Sequence, residues 1–351
     1  MALSIGIVGL PNVGKSTLFT ALTAKGGLAA NYPFATIEPN VGIVPVPDER
    51  LDQLAKIDNP AQIVPATVEF LDIAGLVAGA SKGEGLGNQF LANIRECNAI
   101  AEVVRYFKDE DVIHVDGKVN PQSDVETITT ELVLADIATI EKAMPRLEKD
   151  ARRDKDAKHK LDVAKQALEG LNNGRRVLQL DLDLDALYDL HLLTVKPILY
   201  IANCDENQLN SDFEKIDGQD PVPICCKTEC DLADMDESEK REYLEAIGLQ
   251  ESGLVRLVKS SYNLLGLHSF FTSGEKESKA WTVRIGACAP EAAGVIHSDF
   301  ERGFIKAETA SFDDYVEYNG EAGCRAAGKL RQEGKDYVVQ DGDVMHFKFN
   351  V

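Results

Sequence analysis

The stretch GLPNVGKST at residues 9–17 decides the fold of this chain. It fits the P-loop pattern G-x-x-x-x-G-K-S, with an apolar run of strand length before it at residues 5–8 and helix-spaced apolar residues after it at 18–22. A chain that turns from strand to helix around a phosphate needs inward-pointing backbone N–H groups, which Gly9 and Gly14 leave accessible. The alternative is a chance glycine-rich turn before a helix. The complete pattern in this context instead predicts an α/β domain that binds a nucleotide.

Three polar side chains of this motif have expected roles toward the phosphates. Lys15 can reach the β and γ phosphates, and the Ser16 hydroxyl can complete the coordination of a Mg²⁺ ion that keeps several waters. Thr17 should cap the helix and contact the α phosphate. The nucleotide-binding residues expected in the motif are Gly9, Pro11, Asn12, Val13, Gly14, Lys15, Ser16 and Thr17.

Two further positions are typical of a nucleotide-dependent switch. The polar loop at residues 31–40 carries Thr36, which in such a switch completes the Mg²⁺ shell, although a lone loop threonine is more often only a hydroxyl group. Asp72 and Gly75 form D-x-x-G after a predicted strand at 66–71, where the Asp holds Mg²⁺ through water and the Gly amide can bond the γ phosphate. Neither pattern is informative alone, but both follow a P-loop. The expected metal ligands are Ser16, Thr36 and Asp72.

Composition limits the cellular context and the partners. With 351 residues, 44% of them hydrophobic, the chain is long enough for two or three domains. It begins without a charged leader and has no apolar run near the ~20 residues of a membrane span, so we expect a cytoplasmic protein that makes no membrane contact. We also expect a monomer. Seven cysteines without paired C-x-x-C spacing predict reduced thiols rather than a zinc site. A net charge of −21 argues against nucleic acid bound by bulk electrostatics, so any such contact needs a local basic patch.

One basic segment lies in the middle of the chain. Residues 124–193 read as helix, and within them residues 141–176 hold eleven Lys or Arg against seven Asp or Glu, a net of +4 (11 − 7). Two antiparallel amphipathic helices with solvated faces explain this pattern. Whether the basic face also contacts phosphates stays open.

The second half of the chain returns to an α/β pattern and then changes. Buried strands are predicted at 197–202 and 222–226, separated by residues 207–220, which allow only a short crossover helix, and helices follow from about 234 to 265. Beyond residue 267 apolar and polar residues alternate, as in a sheet that is exposed on one face. This last part predicts a separate α+β domain without a catalytic constellation of its own.

Four stretches resemble the YchF subfamily of Obg-type P-loop NTPases. They are GLPNVGKST, NYPFATIEPN at 31–40, DIAGLVAGASKGEGLGN at 72–88 and EGKDYVVQDGDVMHF at 333–347. The resemblance covers essentially the whole chain. It implies a G domain with a doubly wound α/β sheet over residues 1–265, interrupted by an antiparallel, coiled-coil-like helical insertion at 124–193, and a C-terminal TGS domain of the α+β β-grasp type at 267–351. It also implies an NTPase that binds the ribosome or ribosomal RNA across the insertion and the TGS domain.

The chain departs from ordinary G proteins at the position that orients the attacking water. Where a Ras-like protein has a glutamine just after the D-x-x-G glycine, this chain has Leu76, which can neither donate nor accept a hydrogen bond. Hydrolysis must then be slow, or depend on another residue or a bound partner. His114 is the replacement we would test, with a loop histidine bonded to backbone as the alternative. The expected catalytic residues are Lys15, Gly75 and His114.

The base-recognition motif N-K-x-D is altered to Asn203-Cys204-Asp205-Glu206. The change removes the lysine that stacks along the base and moves the carboxylate of Glu206 by the length of a methylene group, which a guanine-specific pair of hydrogen bonds does not tolerate. We expect Asn203 to be free to pair with adenine, and hence a preference for ATP over GTP. A one-residue slip that offers Asp205 to guanine is the competing possibility.

The leading hypothesis is thus a Mg²⁺-dependent ATP-hydrolysing switch whose nucleotide state alters its contacts with the ribosome and so regulates translation or the stress response. A GTP-specific, nucleic-acid-binding G protein of the same fold is the first alternative. The second is a binding protein that senses the nucleotide with little turnover. A small-molecule kinase also uses a P-loop, but it has no need of both Thr36 and the D-x-x-G motif.

Overall fold

The computed structural model describes residues 3–25, 40–73, 85–109 and 119–350. The expectations for Thr36, Gly75, Leu76 and His114 lie outside these described residues. The chain forms two compact units, one made of Met1–Val44 and Glu69–Leu257 and the other of Pro45–Val68 and Val258–Val351.

The strands fall into two six-stranded sheets. They are β1 Ser4–Val8, β2 Val41–Pro45, β3 Gln62–Val64, β4 Thr67–Asp72, β5 Ala99–Arg105, β6 Ile198–Asn203, β7 Val222–Ile224, β8 Leu267–Thr272, β9 Glu277–Arg284, β10 Phe304–Ala310, β11 Arg331–Glu333 and β12 Val344–Phe349.

Helices of very different lengths accompany these strands. They are α1 Lys15–Lys25, α2 Glu49–Asp58, α3 Gly85–Glu96, α4 Pro121–Asp150, α5 Lys155–Asn172, α6 Cys226–Ala233, α7 Glu237–Ala246, α8 Gly253–Leu264, α9 Ala289–Ile296, α10 Ser298–Arg302, α11 Phe312–Glu317 and α12 Glu321–Ala326. Among the described residues, no helix combines the length and the apolar character that crossing a membrane requires.

The sheet of the first unit has the strand order β2-β4-β1-β5-β6-β7. β1 is parallel to β4 and to β5, and β6 is parallel to β5 and to β7. All residues of β5 and β6 are buried, as expected for parallel strands covered on both faces. Because the carboxyl ends of parallel strands meet at one edge of the sheet, the segments that follow β1, β4, β5, β6 and β7 come together there. This confirms the predicted G-domain fold class.

The helical insertion is shorter than the sequence suggested. α4 and α5 pack against each other and share a core with Val177, Leu187 and Leu192. The α-helix ends at Asn172, near Gly174, whose φ of +73° favours glycine, and the chain returns through short 3₁₀ turns instead of helix up to residue 193. The buried carboxylate of Asp136 in α4 holds the end of this returning segment in place. It accepts hydrogen bonds from the backbone N–H groups of Leu193 and Thr194, at 2.8 Å each.

Other predicted elements also needed correction. The crossover between β6 and β7 contains a 3₁₀ helix at Glu206–Gln208 and no α-helix, so the short helix expected at 207–220 is reduced to one turn. The strand expected at 222–226 ends at Ile224, and α6 begins two residues later, at a position where no helix was expected. The helices expected from about 234 to 265 are α7 and α8, which are separated by a turn that includes Gly248, with a φ of +77°.

The second unit contains a mixed sheet with the order β11-β10-β12-β8-β9-β3. Its core includes Phe270, Phe347 and the alanines of α9, with the rings of Phe270 and Phe347 edge to face at 5.9 Å. The expected boundaries at 265 and 267 leave out residues 45–68, which belong to this unit: β3 pairs in parallel with β9, and α2 packs against β9 and α11. The guanidinium group of Arg50 binds the carboxylates of Asp48 and Asp341 at 2.8 Å each.

Candidate nucleotide-binding site

The P-loop follows β1 as predicted, and close packing explains both of its glycines. A Cβ atom on Gly9 would lie 2.7 Å from the backbone oxygen of Val103 in β5. A Cβ atom on Gly14 would lie 2.2 Å from Nδ2 of Asn203, and Gly14 also has a φ of +100°. Neither position therefore accepts a larger residue without displacing the neighbouring strand end.

Lys15 is the first residue of α1, and its side chain is folded over the loop. Only 8% of the residue is exposed, and its ammonium group donates to the carbonyl of Gly9 at 2.7 Å. Burial lowers the pKa of Lys15 to about 8, and the negative charge of Asp72 partly opposes this shift. A phosphate group is the kind of partner that would stabilise such a desolvated ammonium group.

Asp72 lies beside the P-loop because β1 and β4 are adjacent, with Ile7 opposite Asp72 in the register. Burial raises the pKa of Asp72, and the positive charge of Lys15 works against that rise. A cavity of about 490 Å³ lies between the P-loop and this carboxylate. It is lined by Leu10, Pro11, Asn12, Gly14, Lys15, Ser16, Thr17 and Asp72.

The donor set of this cavity fits Mg²⁺. A hydroxyl group at Ser16 and a carboxylate at Asp72 are hard oxygen ligands, and an exposed cavity leaves room for the waters that this ion keeps. Thr36, the third expected ligand, lies outside the described residues.

Within the motif, Val13 differs from its neighbours because its side chain is buried, so only its backbone is available to a nucleotide.

Asn203 is the last residue of β6, and both polar atoms of its side-chain amide make hydrogen bonds within the protein. Its Nδ2 atom donates to the carbonyl of Val13 at 2.8 Å, and its Oδ1 atom accepts from the backbone N–H of Cys226 at 3.2 Å. Only 4% of the residue is exposed. Asn203 is therefore not wholly free, because this side chain ties the P-loop to the start of α6. The second N–H of Nδ2 makes no hydrogen bond to the described residues, so its contact with the base stays a prediction.

Glu206 lies two residues beyond Cys204, and it faces a second cavity of about 610 Å³. Gly14 and Thr17 line both cavities, so the second is continuous with the phosphate cradle and has a suitable position for a base. One carboxylate oxygen of Glu206, Oε2, accepts from the hydroxyl group of Thr228 at 2.9 Å and from that of Tyr243 at 2.5 Å.

Asp205 takes a different place from Glu206. Its Oδ2 atom accepts from the backbone N–H of Lys108 at 3.3 Å, which ties it to the segment after β5. The competing possibility, in which Asp205 slips into the base-reading position, thus has no support from the hydrogen bonds of the described residues.

Sequence reasoning missed the side of this cavity that α6 and the segment after β5 provide. The cavity is lined there by Phe107, Lys108, Asp109, Cys225, Cys226, Lys227, Thr228 and Asp231. The available signal was topological, since the strand predicted at 222–226 ends at the same sheet edge as Asn203 if the two strands are parallel, as β6 and β7 are. The short length of β7 hid this relationship in the sequence.

The basic segment of the insertion is less uniform than its composition. Arg152, Arg153, Lys155 and Lys158, at the tip between α4 and α5, are exposed. Lys160 instead forms an ion pair with Asp189. Arg176 is buried and binds the carboxylate of Asp217 at 2.7 Å. The four tip residues make no ion pair with any described residue and retain the expected availability for phosphates.

The parallel sheet, the glycine-lined turn and the buried Lys15 beside Asp72 define a P-loop protein of the G-domain class. Residues 4–140 match the family model described as 50S ribosome-binding GTPase, and residues 267–350 match the C-terminal model of YchF GTPases, which is described as a protein of unknown function. The chain belongs to the YchF family, because the match to curated members extends over its full length.

Two curated relatives illustrate this similarity. The ribosome-binding ATPase YchF of Pasteurella multocida is 53% identical over 363 residues, and that of Bacillus subtilis is 52% identical over 366 residues, with 100% of both chains covered in each case. Among solved structures, the YchF GTPase of Schizosaccharomyces pombe matches with a TM-score of 0.89 and 38% identity, covering 99% of this chain and 97% of that one. The relatives' names differ in the nucleotide, which makes base preference the question to resolve.

Proposed function

We propose that this protein is a Mg²⁺-dependent ATPase that binds the ribosome and whose nucleotide state regulates that contact, and with it translation or the stress response. The observation that carries the proposal is the pair of cavities that share Gly14 and Thr17, with Lys15 and Asp72 in one and Glu206 in the other. One cavity suits a polyphosphate with its cation, and the other suits a base.

The phosphate cavity supplies binding and electrostatic stabilisation. Lys15 would exchange its bond to the Gly9 carbonyl for the β and γ phosphates, and the backbone N–H groups at the start of α1 would bind phosphate oxygens. Ser16 and Asp72 would hold Mg²⁺, which when bound neutralises charge on the phosphates, and Thr36 is proposed as the third ligand. The roles of Gly75 and His114 in catalysis remain proposals from the sequence.

Preference for ATP follows from the hydrogen bonds that Glu206 already makes. A guanine-specific carboxylate accepts from N1–H and from the exocyclic amine, which takes both of its oxygens. Oε2 of Glu206 already has two donors, Thr228 and Tyr243, and these fill its two lone pairs. Oε1 accepts no hydrogen bond from the described residues, so one oxygen remains, which suits the N6 amine of adenine and repels the O6 carbonyl of guanine.

Ribosome binding is proposed from the names of the curated relatives together with the exposed basic tip of the insertion. The whole protein is acidic, with a net charge of −21, so a local cluster such as Arg152, Arg153, Lys155 and Lys158 is needed for contact with ribosomal RNA. The TGS domain expected at 267–351 is the second proposed contact.

A titration of the purified protein with labelled ATP and GTP in one Mg²⁺ buffer tests the nucleotide part, and parallel turnover assays with and without ribosomes test the rest. We expect tighter binding of ATP and slow hydrolysis that depends on Mg²⁺. Binding of GTP tenfold or more tighter than ATP would contradict the proposal and favour the G-protein alternative. Nucleotide binding without turnover, even with ribosomes, would favour a nucleotide-sensing protein.

A further inference from the structure

Side chains from three separate segments meet at one oxygen atom of Glu206. Glu206 begins the 3₁₀ helix of the crossover, Thr228 belongs to α6 and Tyr243 belongs to α7. The two hydroxyl groups donate to Oε2 at 2.9 Å and 2.5 Å, respectively. The side chain of Glu206 is exposed, so without these donors it would sample several rotamers.

Tyr243 is suited to be a permanent donor in this arrangement. The hydrogen bond to Glu206, followed by burial, raises the pKa of Tyr243 to about 12, so the phenol keeps its proton at every physiological pH. Thr228 is buried, which limits the movement of the second donor. Together the two groups hold Oε2, and Oε1 accepts no hydrogen bond from the described residues.

We propose that Tyr243 is a positioning residue that determines base specificity: with Thr228 it holds Glu206 so that Oε1 accepts from the exocyclic amine of adenine. This inference rests on the proposed preference for ATP. It assigns the selectivity to a hydrogen-bonded set of three side chains rather than to Glu206 alone. An unrestrained glutamate would contact adenine less often and could turn both oxygens toward guanine.

The other role open to Tyr243 is to fasten α7 to the rest of the unit. α7 has other attachments, because Nδ2 of Asn210 donates to the carbonyl of Ile247, the residue that follows the helix, at 3.1 Å. Directly after the helix, Ile247 and Leu249 pack against the buried cluster that contains Cys204. Loss of one phenolic hydroxyl group should therefore leave α7 in place.

The experiment compares ATP with purine riboside 5′-triphosphate, which is ATP without its exocyclic amine. Dissociation constants for both are measured in one Mg²⁺ buffer for the wild type, Tyr243→Phe, Thr228→Val, Glu206→Ala and the double variant Tyr243→Phe/Glu206→Ala. Tyr188→Phe is the matched control, since Tyr188 is 78% exposed and belongs to the helical insertion. Thermal unfolding of each variant checks the fold.

We expect the wild type to bind ATP more tightly than the analogue. Tyr243→Phe and Thr228→Val should each reduce that ratio by about two- to tenfold, as the loss of one net hydrogen bond does. Glu206→Ala should abolish the preference, Tyr243→Phe should add nothing in that background, and Tyr188→Phe should behave as the wild type.

An unchanged ratio in folded Tyr243→Phe, or an equal loss of affinity for both ligands, would overturn the inference while leaving the preference for ATP intact. A wild type that does not distinguish ATP from the analogue, or that prefers GTP, would instead contradict the proposed base recognition itself. The two failures are therefore distinguishable.

Discussion

Asn203 and Val13 lie 190 residues apart in the sequence, yet the side-chain amide of Asn203 donates to the Val13 carbonyl at 2.8 Å. The same amide accepts from the N–H of Cys226, so one side chain connects the phosphate loop, the end of β6 and the start of α6. Asn203→Ala should weaken ATP and GTP binding alike and lower the free energy of unfolding by about 1–3 kcal/mol, since it leaves buried backbone groups unpaired. Denaturant unfolding and paired titrations measure both effects. Asn172→Ala, at an exposed position, is the control. A shift in the ATP-to-GTP ratio with unchanged stability would show instead that Asn203 contacts the base.

Removal of the phosphate ligands should stop turnover without unfolding the protein. Lys15→Ala removes the ammonium group from the β and γ phosphates, and Ser16→Ala removes an expected Mg²⁺ ligand, so each should reduce hydrolysis by at least about 10²-fold. A steady-state phosphate-release assay measures the rate, and circular dichroism checks the fold. Thr20→Ala, in the exposed part of α1, serves as the control. Wild-type turnover in either variant would contradict the site assignment.

Nucleotide binding should be accompanied by proton uptake near pH 8. Burial lowers the pKa of Lys15 to about 8, and phosphate charge would move it back toward its usual value of 10.5. At pH 8 a half-protonated Lys15 should then take up about half a proton per nucleotide bound. Calorimetry in buffers of different ionisation enthalpy measures this number, and Lys15→Met should abolish it.

The lowered pKa of Lys15 also predicts how the unfolding free energy of the protein changes with pH. The unfolded chain binds more protons at Lys15 than the folded chain between pH 8 and 10.5, so this residue should make the nucleotide-free protein more stable as pH rises through that window. The difference between the wild type and Lys15→Met in unfolding free energy, measured from pH 7 to 10.5, isolates the effect. A difference that does not vary with pH would contradict it.

Ribosome binding should depend on the tip of the insertion and should weaken as salt concentration rises. The double variants Arg152→Glu/Arg153→Glu and Lys155→Glu/Lys158→Glu should each reduce cosedimentation with ribosomes. Each should also make binding less dependent on salt, because each phosphate contact contributes roughly 0.7–0.9 to the slope of log binding constant against log salt concentration. Lys215→Glu/Arg241→Glu is the matched double reversal at exposed positions outside the insertion. If the tip variants bind as well as this control across the salt series, the contact lies elsewhere, with the proposed TGS domain as the next region to test.

His114 is testable even though it lies outside the described residues. If it replaces the missing glutamine at Leu76, His114→Ala should lower turnover by about 10²-fold or more while leaving ATP affinity unchanged. Single-turnover kinetics and equilibrium binding on the same preparation separate the two quantities. Turnover at the wild-type rate in a folded variant would make His114 an ordinary loop residue.

The phosphate cradle could be predicted from the sequence because its requirements are local. Gly9, Gly14 and Lys15 fulfil steric and electrostatic needs that a short pattern records, and the adjacent parallel strands then bring Asp72 beside them. The base cavity follows different rules. The hydrogen bonds that occupy Asn203 and orient Glu206 come from Cys226 and Tyr243, which no local pattern connects to the altered N-K-x-D motif.

One part of the domain division could not be predicted for a similar reason. Residues 45–68 fall within the G domain expected at 1–265, and only the pairing of β3 with β9 shows that they belong to the second unit. Likewise, Lys160 and Arg176 of the basic segment form ion pairs with Asp189 and Asp217, which follow later in the chain. A count of charges over residues 141–176 cannot include acidic partners that lie outside this range.

The second unit is made of two separate parts of the chain, and this affects its folding during synthesis. Its first piece, with the apolar face of α2 at Leu51 and Leu54, leaves the ribosome about 190 residues before its second piece begins (258 − 68). At 5–20 residues per second, that face waits roughly 10–40 s for the strand that covers it. The nascent chain thus carries an uncovered apolar helix face and an unpaired strand edge while the intervening residues emerge.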